Sequence, residues 1–176
     1  MPPLPRVATE PGLEDAYRPG HFAGVCQVVH RLFSLLRPSA AVLGEKDWQQ
    51  LQVVRAMTIE QRLGVDILAY RTVRDADGLA MSSRNRFLFP EERERALAIP
   101  RALGLARAEG TASAAERAMR EELQRAGMLV EYATVRDAAT LQPLQRDGNG
   151  RALLAARAGQ TRLIDNAAWP ATDKLA

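Results

Sequence analysis

The chain has 176 residues, of which 47% are hydrophobic and 26% are charged, and its formal net charge is +3. These totals predict one large or two small packed domains, and they exclude a disordered chain. Without a basic run interleaved with aromatics, a signal segment or an apolar stretch of about 20 residues, we expect a soluble, cytoplasmic protein that binds neither nucleic acid nor membrane.

The first 36 residues fall into two parts. Residues 1–20 are rich in proline and glycine and show no period, which is typical of a flexible arm. From residue 21 to residue 36 apolar side chains recur at three- and four-residue steps, which predicts an amphipathic helix closed by Pro38. Cys26, the single cysteine, excludes an intrachain disulfide and is expected to be a buried apolar residue. The apolar side chains at these steps are Phe22, Val25, Val29, Leu32, Phe33 and Leu36.

The next segments continue an α/β pattern. The short apolar run 40–44 predicts a buried parallel strand, a helix is expected over roughly 46–62, and 65–73 is strand-like. Helix, strand, helix, strand is the order of a doubly wound sheet. Two strands do not complete such a sheet, so we expect exposed apolar faces that promote association of the chain.

The remaining segments indicate a different fold. A helix is predicted from Pro90 to about residue 108 with a break or kink at Pro100, followed by a second helix whose capping box is "SAAE" (113–116). Residues 130–137 are strand-like, and 151–169 read as a hairpin that turns at Gly159-Gln160. The sequence therefore predicts two domains, a partial Rossmann-like domain at 1–74 and a small α+β domain at 75–176.

The stretch "GEKDWQQL" (44–51) lies where a strand is followed by a helix. Ligands of open α/β sheets bind at the carboxyl ends of strands, and a helix N-terminus offers N–H groups to an anion. Lys46 is one of two lysines in an arginine-rich chain, and its compact charge suits a phosphate. Lys46 and Gln50 are expected to project from one helix face. The pattern alone leaves open a solvated helix start.

A second polar stretch is "DGLAMSSRNRFL" (77–88), between a strand-like run and a helix-like run. The hydroxyls of Ser82 and Ser83 and the guanidinium of Arg84 are groups that grip a polyphosphate from a mobile loop. The alternative is a polar linker whose serines cap turns.

Histidines are few, and their spacing bears on a metal site. His21 and His30 are nine residues apart on one helix and so point in opposite directions, which argues against a shared metal. His21 lies beside Arg18 at the start of the helix and is the better candidate for a hydrogen bond to an anionic ligand.

Four motifs in register closely resemble the pantothenate synthetase (pantoate–β-alanine ligase) family: "RPGHFAGV" (18–25), "GEKDWQQL" (44–51), "DGLAMSSRN" (77–85) and "TRLIDN" (161–166). The resemblance runs from about residue 7 almost to the end. It implies the C-terminal half of a class I nucleotidyltransferase sheet followed by an α+β lid. It also implies that the substrates are ATP, pantoate and β-alanine. It also implies Mg²⁺ and a homodimer. In the family, pantoate is adenylated with release of pyrophosphate, and the amine of β-alanine then displaces AMP.

The resemblance also implies residue roles. Asp47 would contact the ribose of ATP, Val73 the adenine through its backbone, and Gln50 and Arg18 the pantoate. The residues implied in catalysis are Lys46, Ser82, Ser83, Arg84 and His21, and no protein ligand to a metal is implied. The full set implied in ATP binding is Gly44, Glu45, Lys46, Asp47, Val73, Met81, Ser82, Ser83 and Arg84.

Family members begin with further elements that have no counterpart here, including a histidine-x-glycine-histidine motif and an acidic cluster that helps with metal. The interpretation is a shortened ligase, through a misplaced start codon, an artificial boundary or real loss, or with the missing part supplied by another chain. One alternative is a non-catalytic remnant that binds nucleotide or a partner chain. Another is a different adenylyl-transferring ligase, against which Gln50 and the "RPGHF" segment argue.

Overall fold

The computed structural model describes residues 3–145 and 149–170. The chain forms two compact units, Met1–Arg71 with Ala139–Gln142, and Thr72–Ala138 with Pro143–Ala176. The return of residues 139–142 to the first unit was not anticipated from the sequence, and the domain limits 1–74 and 75–176 stay a prediction. Within the described residues, no helix is both long enough and apolar enough to cross a bilayer.

The first unit is built on two parallel strands, as the sequence predicts. Strands β1 (Ala40–Gly44) and β2 (Asp66–Tyr70) pair in register along their whole length. The helices of this unit are α1 (Glu14–Tyr17), α2 (His21–Leu36) and α3 (Trp48–Glu60). Strand β2 is shorter than the predicted 65–73 because β1 offers it hydrogen-bond partners over five residues alone.

Helix α2 follows the predicted bounds, but its apolar face is only partly covered. Phe22 and Cys26 are its buried residues. Val28, Leu32, Leu35 and Leu36 are exposed, with Leu36 at 72%. The exposed apolar face that the sequence predicts for this helix is therefore present, because α2 lies on α3 along only one flank of a broader apolar face.

The N-terminal arm is ordered, so the prediction of a flexible arm was wrong for its described part. Residues Arg6–Ala8 form a 3₁₀ turn, and Val7, Ala8 and Leu13 are buried. Gln49, buried in α3, accepts a hydrogen bond from Glu14 N and donates to Val7 O and to Asp15 Oδ1, at 2.9–3.0 Å. These long-range bonds hold an arm that has no hydrophobic period of its own.

The second unit places helices on one face of a three-stranded antiparallel sheet. The elements are α4 (Pro90–Ala96), α5 (Ala98–Ala108), α6 (Ala112–Arg125), β3 (Leu129–Asp137), β4 (Gly150–Ala158) and β5 (Thr161–Trp169). The strand order is β3-β4-β5, and the β4–β5 hairpin turns at Gly159-Gln160 as predicted. The core includes Ile99, Leu103, Met119 and Leu154.

Two predicted helix boundaries were wrong. The break between α4 and α5 falls at Leu97 rather than at Pro100, which lies in the first turn of α5, where its missing N–H removes no helical bond. The cap of α6 is Thr111, whose hydroxyl accepts from Ala114 N, rather than Ser113. The carboxylate of Glu116 instead accepts from Thr134 Oγ1 and Val135 N. It thereby gives a hydrogen-bond partner to a backbone N–H of the edge strand β3.

Candidate functional site

A tight turn at the end of β1 carries the predicted nucleotide residues of the first unit. Glu45, Lys46 and Asp47 form a 3₁₀ turn, and α3 begins only at Trp48. The predicted start of the α-helix at residue 46 was wrong, because Lys46 lies in the 3₁₀ turn before α3. That Lys46 and Gln50 project from one face stays a prediction. Asp47, the residue that precedes α3, makes no side-chain cap bond to it.

Gly44 ends β1 in ordinary extended geometry, with φ −72° and ψ 136°. A Cβ built on Gly44 would meet nothing within 4 Å. The fold of the described chain therefore does not require glycine at this position. What glycine leaves is bare backbone that a ligand can approach closely.

His21 and Gln50 line one pocket of the first unit, with a volume of about 390 Å³. Its other lining residues are Gly24, Val25, Val28 and Val29, so an apolar wall faces an imidazole and a carboxamide. This is the group of predicted substrate residues that the structure brings together on α2 and α3. Their contribution to binding stays a prediction.

Arg18 contacts this group through the histidine. Its Nη1 lies 3.0 Å from His21 Nε2. A guanidinium can only donate, so His21 Nε2 accepts, and the neutral ring then carries its proton on Nδ1. Gly20, with φ 78°, precedes the helix and allows the sharp entry that sets His21 beside Arg18.

In the second unit, Ser82 precedes a 3₁₀ turn, Ser83–Phe87. Residues 82–87 are called the serine turn below. Ser82 Oγ accepts from Arg84 N at 3.2 Å, and Ser82 O accepts from Asn85 N. The turn-capping alternative is thus realised by Ser82, while the side chain of Ser83 makes no such cap and is exposed. An open pocket of about 480 Å³ is lined by Asp75, Met81, Ser82, Ser83 and Asn85.

Val73 lies beyond β2 rather than at its end, so the prediction that it closes the strand was wrong. Its carbonyl accepts from Met81 N at 2.9 Å. The backbone of Val73 therefore fixes the start of the serine turn. A backbone contact between Val73 and adenine stays a prediction.

Two acidic residues near the serine turn, Asp75 and Asp77, were not identified from the sequence. Partial burial opposes ionisation of Asp77, but the hydrogen bond from Leu79 N and the bonds and charge of Arg93 together lower the pKa of this carboxyl. The hydrogen bond to Asp75, then the bond to Asp77 and the charges of both carboxylates, raise the pKa of Arg93. The signal that could have found them is the pair Asp75 and Asp77 followed by Arg93 in helix α4.

The predicted residues divide between the units. The first carries Arg18, His21, Gly44–Asp47 and Gln50, and the second carries Val73 and Met81–Arg84. Over residues 3–145 and 149–170, no cluster of three or more histidine, cysteine or acidic side chains is placed to hold a metal.

Comparison with known proteins gives consistent matches. A sequence model of the family described as pantoate-beta-alanine ligase matches residues 4–168. A pantothenate synthetase of Myxococcus xanthus is 52% identical over 163 residues, which are 88% of this chain and 56% of that protein.

Solved structures agree in fold. Pantothenate synthetase from Thermus thermophilus superposes with a TM-score of 0.84 at 42% identity, over 89% of this chain and 59% of that one. Pantoate-beta-alanine ligase from Francisella tularensis, complexed with beta-gamma ATP and beta-alanine, gives a TM-score of 0.71 at 28% identity, over 96% of this chain and 57% of that one. The chain spans just over half the length of these relatives.

Proposed function

The chain belongs to the pantoate-beta-alanine ligase family, and from this premise we propose that it carries part of an ATP-dependent ligase that joins pantoate to β-alanine. The observation that carries the proposal is the convergence of His21 and Gln50 on one valine-lined pocket, in a chain whose residues 4–168 match the family.

The pocket suits pantoate chemically. Pantoate has two geminal methyl groups, two hydroxyls and a carboxylate. Val25, Val28 and Val29 offer an apolar wall to the methyl groups, and the Gln50 carboxamide can both donate and accept. Arg18 adds positive charge next to His21 and favours an anionic substrate.

The two polar turns suit the triphosphate. Gly44 leaves bare backbone, and Lys46 supplies a compact charge in the turn before α3. Ser83 and Arg84 supply a hydroxyl and a guanidinium in the second unit. The Francisella tularensis relative was solved with beta-gamma ATP and beta-alanine, which supports ATP and β-alanine as substrates here.

The proposed reaction has two steps. A pantoate carboxylate oxygen attacks the α-phosphorus of ATP, the bond to the bridging oxygen breaks, and pyrophosphate leaves. The amine nitrogen of β-alanine then attacks the acyl carbon and loses a proton, and AMP leaves with the oxygen that came from pantoate. Lys46 and Arg84 would neutralise charge that develops on the phosphates, while the pocket walls orient the carboxylate.

Mg²⁺ is proposed from the resemblance alone. The described residues form no metal-binding cluster, and Mg²⁺ that accompanies a nucleotide is held largely by phosphate oxygens and water. The proposed steps assign no role to a protein-bound metal. A homodimer and a cytoplasmic location likewise stay predictions.

The test is pyrophosphate release by the purified chain with ATP, with and without pantoate. We expect release that requires pantoate, and pantothenate formation once β-alanine is added. Release that is independent of pantoate, or that another hydroxy acid supports equally well, would contradict the proposed substrate.

A second candidate function is a nucleotide-binding module without turnover. The observation that favours it is that both polar turns proposed to meet a nucleotide, Glu45–Asp47 and Ser83–Phe87, are formed in the described chain. Titration calorimetry with ATP distinguishes the two functions. Heat of binding without pantoate-dependent pyrophosphate release supports the module, and turnover supports the ligase.

A further inference from the structure

The serine turn continues from a short hydrogen-bonded hairpin. Arg74 and Ala80 form an isolated antiparallel bridge. Asp75 N donates to Leu79 O at 2.8 Å, and Gly78 N donates to Asp75 O at 2.9 Å. The hairpin made by residues 73–81 therefore delivers the chain directly into Ser82.

An ion pair with a buried carboxylate fixes one side of this hairpin. Arg74 Nη1 and Nη2 donate to the two carboxylate oxygens of Asp165, at 2.6 and 3.2 Å. The Asp165 side chain is 0% exposed, and Arg74 Nη1 also donates to Gly78 O at 3.1 Å. A two-pronged pair of this kind constrains orientation as well as distance. The motif "TRLIDN" thereby gains a structural task through Asp165.

A second ion-pair cluster fixes the other side. Arg93, in α4, donates through Nη2 to Asp75 Oδ2 at 2.9 Å and through Nε to Asp77 Oδ2 at 2.9 Å. Asp75 Oδ2 also accepts from Asn85 Nδ2 at 3.3 Å. Asn85 Nδ2 donates in addition to Ala80 O at 3.1 Å. The carboxylate of Asp75 thus links α4 to the residue that follows Arg84.

The same contacts neutralise carboxylate charge that would repel a triphosphate at the serine turn. Asp75 and Asp77 carry negative charge beside a turn that is proposed to receive a triphosphate, and an unpaired carboxylate there would repel it. Arg93 is paired with both carboxylates, and Arg74 with Asp165. The Ser83 hydroxyl and the Arg84 guanidinium are then the groups of the turn that are proposed to meet the ligand.

We propose that Asp75 and Asp165 are positioning residues of the serine turn: through Asn85 and Arg74 they hold Ser82, Ser83 and Arg84 in the arrangement that grips a triphosphate. The inference rests on the proposed function for the identity of the ligand. Its physical content is preorganisation, because a turn that is already ordered loses less conformational entropy when ATP binds.

The experiment compares the full chain with its Asp75→Asn and Asp165→Asn variants. Arg101→Gln is the matched control, since it breaks the 2.8 Å ion pair with Glu122 in the same unit without touching the hairpin. Hydrogen exchange of amides 79–86 is followed without ligand. Calorimetry then gives the Kd for ATP and for adenosine, which lacks the phosphates.

We expect exchange of amides 79–86 to become about tenfold faster in both aspartate variants and to stay unchanged in Arg101→Gln. The Kd for ATP should rise about tenfold, and that for adenosine should not change. Asp75 is less buried than Asp165, with 29% of its side chain exposed, so Asp75→Asn decides the matter if Asp165→Asn does not fold.

Unchanged exchange in the aspartate variants overturns the inference, as does an equal loss of ATP and adenosine binding, which indicates general damage to the unit. Faster exchange in a chain that never binds ATP overturns the proposed function and supports the anchoring of the turn by the two aspartates. The two failures are therefore distinguishable.

Discussion

Lys46 carries the charge on which the proposed adenylation depends most directly. It lies in the turn between β1 and α3, next to Gly44, where the proposal places the phosphates against bare backbone. Replacing it with alanine in the active ligase should lower the adenylation rate by roughly 10²-fold or more, as for loss of a strong transition-state contact. Pyrophosphate release measures the effect, and Lys46→Arg is the control that keeps the charge. Near-normal turnover of Lys46→Ala would remove Lys46 from the mechanism.

Cys26 allows a prediction from its pKa. Burial, and then the charge of Glu60, raise the pKa of this thiol above its ordinary value, and its side chain is fully buried. Because the thiolate is the reactive form and a raised pKa lowers its fraction at neutral pH, Cys26 should react at least about tenfold more slowly with a disulfide reagent in the folded chain than in urea. Equal rates in the two conditions would show that the thiol is accessible and ordinary.

At the scale of elements, the N-terminal arm depends on one side chain. Gln49 makes three hydrogen bonds to residues 7–15, two of them buried. The substitution Gln49→Met keeps the length of the side chain but removes the bonds to Glu14 N and Val7 O, which are buried, and it should lower the free energy of unfolding by about 1–3 kcal/mol. Urea denaturation measures the change.

The matched control for the arm is Gln50→Met, since Gln50 is the next residue on α3 but lines the pocket instead. We expect Gln50→Met to keep the stability of the folded chain. Equal losses in the two variants would mean that Gln49 does not hold the arm.

Periodicity foretold most of the elements, and the reason is local. The bounds of α2 and β1 and the β4–β5 turn follow from residue spacing and turn chemistry, which neighbouring residues determine. The ordered arm was missed because Gln49 acts across more than 30 residues of sequence. Thr111 replaced Ser113 as cap because Glu116, the expected partner of Ser113, bonds to β3 instead.

The candidate site was foretold unevenly for the same reason. Motif spacing identified the polar turns, and the structure shows their local geometry. Motif spacing could not identify Asp165 as the partner of Arg74, because the two residues are 91 positions apart in the sequence. The residues within a turn can be recognised from the local sequence, whereas the distant residues that hold the turn in place cannot.

At the scale of the whole molecule, the first unit exposes apolar surface that a stable monomer would cover. Val28, Leu32 and Leu35 form a stripe along α2, and Val42 and Leu68 are exposed on the two-stranded sheet. Contiguous apolar surface promotes association. Sedimentation velocity should therefore show the chain self-associating as its concentration rises into the tens of micromolar range.

The double substitution Leu32→Lys and Leu35→Glu should reduce this association. Gln27→Lys, on the polar side of the same helix, is the control and should leave it unchanged. A chain that stays monomeric at every concentration would contradict the prediction.

The central claim is that pantoate is activated by transfer of the adenylyl group, and isotope transfer tests it most directly. Pantoate labelled with ¹⁸O in its carboxylate is incubated with ATP, β-alanine and the chain, and the products are analysed by mass spectrometry. We expect AMP that carries one ¹⁸O, because the attacking oxygen leaves with the phosphate. Label in inorganic phosphate with formation of ADP, or pantothenate without labelled AMP, would contradict it.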